Sequence, residues 1–98
     1  MEIEFADSDY DRLEIDASFS AGFAPAVVKA YRKRLQYIRA ALDERDLYAS
    51  KGAHFERLQG DRAGTCSMRL NDQWRLILKL ERRVNGKIVV IVSIADYH

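Results

Sequence analysis

Only one cysteine, Cys66, occurs in the 98 residues. That excludes a disulfide within the chain and suits a reducing compartment; a lone cysteine reads first as a small buried apolar side chain. Long apolar runs are also missing, since none approaches the roughly 20 residues that a bilayer-spanning helix needs. No basic stretch followed by an apolar run opens the chain, so a cytoplasmic protein without signal or membrane anchor is expected. A phosphate-cradling glycine loop is absent: Gly60 and Gly64 flank only Asp61-Arg62-Ala63, and no Lys-Ser/Thr follows. His54, Cys66 and His98 stand apart, without a CxxC or HxxxH pair, so neither a metal nor a cofactor is expected. Repeats and low-complexity tracts are lacking as well.

Net charge is nearly absent, at +1, which taken alone argues against a nucleic-acid binder. The distribution says otherwise. Residues 1–16 hold seven acids (Glu2, Glu4, Asp7, Asp9, Asp11, Glu14, Asp16) and one base, Arg12, so that segment carries −6 and the other 82 residues carry +7. An acidic N-terminal segment on a basic body is permissive for a polyanion, and equally compatible with a solvated helix face plus scattered surface charge. Length sets a further bound. With 48% hydrophobic and 32% charged residues, the chain reads as one small folded domain spanning residues 1–98.

The hydrophobic pattern predicts its elements. Met1 to Phe5 alternates apolar and acidic residues, a short strand with Ile3 and Phe5 on one face. Asp7 or Ser8 can cap a short helix carrying Tyr10 and Leu13 on its apolar side. An uncharged connector, 17–24, leads to Pro25, suited to the first position of a second helix. There Val28, Tyr31, Leu35, Ile38 and Leu42 form one stripe at helical spacing. Lys29, Arg32, Lys33, Arg34 and Arg39 lie mostly off that stripe, giving a basic side that is either simply solvated or in contact with RNA. The acidic first helix is expected to pair with this side or with a partner protein.

After a polar stretch to about His54, the period becomes two. A strand piece falls near Phe55 to Leu58. Cys66, Met68 and Leu70 alternate with Ser67, Arg69 and Asn71, and then Trp74, Leu76, Leu78 and Leu80 alternate with Arg75, Ile77 and Lys79. Asn71-Asp72-Gln73 and Asn85-Gly86 supply the turns. The unbroken run Ile88 to Val92 reads as buried on both faces and therefore central. The expected architecture is α+β, a small twisted and mainly antiparallel sheet with two N-terminal helices on one face.

Two features bear on chemistry. Asp96-Tyr97-His98 ends the sequence directly after a buried strand, either as a frayed end or as a set of proton-transfer groups placed by that strand. Arg69 and Arg75 project with Asn71 from the face opposite the core, in water or toward a ligand. Together they meet the needs of RNA cleavage without a metal: a base for the 2′-hydroxyl, cations for the phosphorane, and an acid for the departing 5′ oxygen. His98 can serve in either proton role, and an arginine fork takes two phosphate oxygens. Trp74 shares parity with Leu76 and Leu78, which favours the core over stacking on a base.

Three blocks, Glu56-Arg57-Leu58-Gln59-Gly60-Asp61-Arg62-Ala63-Gly64, Ser67 to Leu76 and the terminal Asp96-Tyr97-His98, resemble HigB-type toxins of the RelE/ParE superfamily in order and spacing. The resemblance implies a RelE-like fold and the toxin of a type II toxin-antitoxin pair, an endoribonuclease (mRNA interferase) that cuts message in the A site of the 70S ribosome. It also implies a HigA-type helix-turn-helix antitoxin as partner, with operator DNA reached only through that complex and no membrane. Carried over by position, Arg75 stabilises the transition state, while Glu56, Asp96, Tyr97 and His98 supply acid/base chemistry and substrate placement. Arg57, Arg62, Arg69 and Asn71 hold RNA. Two positions depart from the best-known members: Glu56 stands where they have histidine, and Gln59 where they have lysine. His54 shares a strand face with Glu56 if that segment is extended. Two other readings stay open, a ParE-like gyrase poison, to which the terminal triplet is of no use, and a weakly catalytic regulatory member.

Overall fold

The computed structural model describes residues 1–96, so Tyr97 and His98 lie outside the described residues. The chain runs β1 (Ile3–Phe5), α1 (Ser8–Ile15), α2 (Pro25–Ala40), α3 (Glu44–Ala49), β2 (Glu56–Arg57), β3 (Cys66–Arg69), β4 (Trp74–Arg83) and β5 (Gly86–Asp96). The strands form one sheet in the order β1-β5-β4-β3-β2, antiparallel except for β1, which lies parallel to β5. The expected α+β architecture is therefore present. β5 has a neighbour on each side, and β4 occupies the middle.

Alternation decides which face is covered. Met68 and Leu76 are opposed in register, as are Cys66 and Leu78, and all four join the buried cluster with Leu13 of α1, Val28, Tyr31, Leu35 and Ile38 of α2, and Leu47 of α3. A β-bulge near Ile77 and Leu78 changes the phase of β5: Leu78 opposes Ile91 but Ile77 opposes Ser93, leaving Val92 as the extra residue. Val89, Ile91 and Ile94 consequently all reach the same core, although strict alternation would turn Ile94 outward. Ile88 and Val90 are also buried, as the unbroken apolar run predicts.

Local chemistry sets the helix limits. Asp7 caps α1, its carboxylate accepting from the Asp9 amide at 2.9 Å. Pro25 opens α2. The stripe predicted through Leu42 stops at Ile38, because the chain turns extended at Ala41 (φ −68°, ψ 140°) and Leu42 is 89% exposed. α3 falls within the stretch read as merely polar; its six residues are too few to show a periodic stripe, and Asp43 caps it through the Arg45 amide. Glu44 ties α3 to two strands, accepting from Lys87 at 2.6 Å and Arg57 at 2.8 Å. The Lys87 ammonium holds the Glu44 carboxyl below the usual carboxylate range.

The basic side of α2 is largely used inside the fold. Arg32 donates to the carbonyls of Leu13 at 2.9 Å and Asp16 at 2.8 Å, gripping the end of α1. Arg39 forms a two-bond pair with Glu14 at 2.7 and 2.8 Å, so the acidic first helix does pair with the basic second one. Arg34 donates to the Arg69 carbonyl at 3.1 Å, while Lys29 and Lys33 face outward. Deeper in, the Tyr31 hydroxyl donates to the Tyr10 carbonyl at 2.7 Å, and the Tyr10 hydroxyl accepts from the Ile94 amide at 3.1 Å. Burial pushes the Tyr31 phenol up, so it stays a donor at any physiological pH. This relay fastens the end of β5, beyond the reach of short β1, to the helical layer.

Two outcomes follow from this packing. Leu35→Ala should cost about 2–5 kcal/mol in urea unfolding, as for other buried leucines, whereas Leu42→Ala should stay within about 0.5 kcal/mol. Because the Glu44 carboxyl titrates lower folded than unfolded, its contribution is complete above the usual glutamate range and is lost as pH falls through the lower folded value. Glu44→Gln should therefore reduce the acid-side slope of stability against pH, measured by thermal melts in the range below about pH 5.

Candidate functional site

The sheet face turned away from the helices carries an arginine that is almost out of water. Arg75 is 8% exposed and Ser67 beside it is 0% exposed, the two buried polar residues of the described chain. Register explains their meeting. Ser67 opposes Ile77 and Arg69 opposes Arg75, Glu56 opposes Ser67, and Ala95 opposes Arg75, so these residues share one face. The Arg75 Nη2 donates to Ser67 Oγ at 2.7 Å, to the His54 carbonyl at 2.9 Å and to Glu56 Oε1 at 3.3 Å. Glu56 is half exposed and Arg75 is not, so the pair spans the boundary between sheet and solvent.

The segment leading into β2 is not extended at His54. That residue sits in the left-handed region (φ 46°, ψ 51°) after a 3₁₀ turn, Lys51–Ala53, so strand alternation does not put its side chain on the face of Glu56. What reaches the site is its backbone carbonyl. Beyond β2, Gly60 (φ 69°) and Gly64 (φ 90°) take conformations that favour glycine, enclosing the 3₁₀ turn Gly60–Arg62. Thr65 fixes that turn, both its amide and its hydroxyl donating to the Arg62 carbonyl at 3.1 and 2.6 Å. Arg62, Gln59, Leu58, Ser67, Arg75 and Asp96 then surround a concavity of about 200 Å³.

The other candidates distribute unevenly. Asp96 ends β5 at the rim, accepting from Gln73 Nε2 at 3.2 Å. Arg69, half exposed, is ion-paired with Asp72 in the adjoining turn. Asn71 shapes that turn, its side-chain oxygen accepting from the Gln73 and Trp74 amides at 2.9 and 2.8 Å. Arg57 opposes Cys66 and thus occupies the helix-side face, where it pairs with Glu44. It does not meet Arg75. Trp74 packs edge-on against Phe23, centroids 5.6 Å apart, as part of the core margin. Cys66 is buried, and burial pushes its thiol up, away from nucleophilic character. Among the described residues no three His, Cys, Asp or Glu side chains group as a metal cluster, and no helix is long and apolar enough to cross a membrane. Tyr97 and His98 lie outside the described residues.

The sequence singled out Glu56, Arg75, Asp96, Arg62 and Arg69, and the structure brings Glu56, Arg75, Arg62 and Asp96 to one rim. It did not single out Ser67 as a site residue or the His54 carbonyl. For Ser67 a signal was available: a hydroxyl two residues ahead of Arg69 on the outward parity of β3, opposite the parity of Cys66 and Met68.

The α+β arrangement, a five-stranded mixed sheet with its helices packed on the core, is that of RelE-like toxin folds. The HigB-like toxin family, a RelE-like toxin of the type II toxin-antitoxin system HigB, matches residues 3–98, and the chain belongs to it. It is 33% identical over 79 residues to Toxin HigB-1 of Vibrio cholerae serotype O1, covering 81% of this chain and 83% of that toxin. In fold it is similar to the YoeB/ParE toxin from Agrobacterium tumefaciens (TM-score 0.64, 18% identity, all of both chains). It is similar also to a chain of the YoeB-YefM complex from Staphylococcus aureus (TM-score 0.57, 23% identity, 100% of this chain and 97% of that one).

The division of the arginines between the two faces makes a prediction. Arg57→Ala should lower stability slightly and leave toxicity on induced expression unchanged, whereas Arg62→Ala, on the rim, should weaken growth arrest; equal loss in both would contradict the assignment of faces.

Proposed function

We propose that this toxin is a ribosome-dependent mRNA endoribonuclease that cuts message in the A site, and that it is neutralised by a HigA-type helix-turn-helix antitoxin. The observation that carries this reading is the buried Arg75 guanidinium 3.3 Å from the half-exposed Glu56 carboxylate, a fixed cation beside a solvent-accessible base. In the reaction Glu56 removes the 2′-hydroxyl proton, and the 2′ oxygen attacks the adjoining phosphorus. Arg75 offsets the charge that accumulates on the phosphorane. A proton from the terminal group Asp96, Tyr97 and His98 reaches the 5′ oxygen as its bond to phosphorus breaks. This route needs only side chains, and Glu56 serves where the best-known relatives have histidine.

Arg62 and Arg69 are assigned to the RNA backbone, and Arg57 and Asn71 are left out of that path because one lies on the other face and the other is engaged in its turn. A net charge of +1 supports only few phosphate contacts on naked RNA, which favours a substrate presented by the 70S ribosome and hence action in the cytoplasm. The antitoxin partner is supported by the family and by the YoeB-YefM neighbour; operator DNA would be met through that complex.

Toe-printing of a translated message with purified protein tests the reading. We expect cuts within A-site codons, reduced by about two orders of magnitude or more in Arg75→Ala, the scale on which loss of one transition-state contact acts. Intact message together with growth arrest and inhibited DNA supercoiling would instead identify a gyrase poison.

A further inference from the structure

We propose that Ser67 is a positioning residue for Arg75, setting the plane in which its guanidinium meets the substrate; this rests on the nuclease reading above. Ser67 lies between Cys66 and Met68 on an interior strand and is wholly removed from solvent, a place where an apolar side chain would be the ordinary solution. A buried hydroxyl there requires a partner, and its partner is the arginine, at 2.7 Å the shortest contact to Nη2 among the described residues.

Two of those acceptors come from separate pieces of chain. Ser67 Oγ is carried on β3, and the His54 carbonyl is turned inward by its left-handed backbone at 2.9 Å. A planar guanidinium held at one nitrogen by a single acceptor can still swing about that contact, whereas two acceptors from different elements fix its plane. Among the described acceptors Glu56 lies farthest, at 3.3 Å, and is half exposed to solvent. With Ser67 and the carbonyl holding Nη2, the carboxylate is not the principal anchor and remains available for proton transfer. Without Ser67, the guanidinium loses the nearest of these acceptors and shifts toward Glu56, displacing the cation and engaging the base together.

The test compares Ser67→Ala and Ser67→Thr with wild type in two measurements. On a short message programmed on 70S ribosomes, Ser67→Ala should lower kcat by about 10- to 100-fold with KM unchanged, the scale of a small misplacement of a reacting group, and Ser67→Thr, which restores the hydroxyl, should recover most of it. In ¹⁵N-labelled protein the Arg75 Nη protons should give separate, slowly exchanging resonances in wild type and in Ser67→Thr, and merged or broadened ones in Ser67→Ala. Unchanged kcat and unchanged Arg75 resonances in a folded Ser67→Ala protein would overturn the proposal, as would a lowered melting temperature with both readouts intact. Failure of the nuclease reading is recognised separately: Arg75→Ala would then retain wild-type toxicity, and the Arg75 resonances would still decide whether Ser67 holds the side chain.

Discussion

A guanidinium taken out of water must be met by acceptors whose positions the fold guarantees, because an arginine cannot shed its charge to escape the cost of burial. Arg75 is that group, and much of the molecule is arranged to meet it. β3 supplies Ser67, the turn before β2 supplies the His54 carbonyl, and β2 itself supplies Glu56. The shortness of β2 then makes sense. Two residues suffice to place Glu56 opposite Ser67 and to send the next residue, Arg57, to the far face. The open face of the sheet therefore has a buried, hydrogen-bonded arginine at its centre.

The helical layer supports that surface from behind. α2 contributes its apolar stripe to the core and its arginines to α1 and β3, so charge that looks suited to RNA serves largely as internal fastening. The two tyrosines extend the support to the end of β5, where β1 no longer pairs and the Tyr10 hydroxyl takes the Ile94 amide. Asp96 follows two residues later. The strand end that carries Asp96 to the rim is thus tied to the helical layer.

Period-two spacing made β3 and β4 legible, and Asn85-Gly86 marked the hairpin between β4 and β5. What the pattern could not convey were events that break periodicity. The bulge at Val92 shifts Ile94 into the core without any change in composition. α3 is less than two turns long and buries only Leu47, and nothing in Leu42 itself says that the helix has already ended. The site was legible in part for the same reason. Parity places Arg75 on the outward face of β4, but an outward arginine is ordinarily wet, and here the His54 turn, Ser67 and the segment Leu58 to Arg62 close around it. Glu56 is legible by its place in the family's block, a serine on an outward parity does not stand out, and His54 does not share the Glu56 strand face because the chain is left-handed there, so its carbonyl is what reaches Arg75.

The central claim is that an arginine and a carboxylate on this face perform phosphodiester cleavage by 2′-oxygen attack. The most direct measurement is the chemistry of the RNA ends produced by the purified toxin on programmed ribosomes. Attack by the 2′ oxygen leaves a 2′,3′-cyclic phosphate, or the 3′-phosphate it opens to, on one fragment and a 5′-hydroxyl on the other. A 5′-phosphate with a free 3′-hydroxyl would require attack by water on phosphorus from the opposite side and would contradict the account.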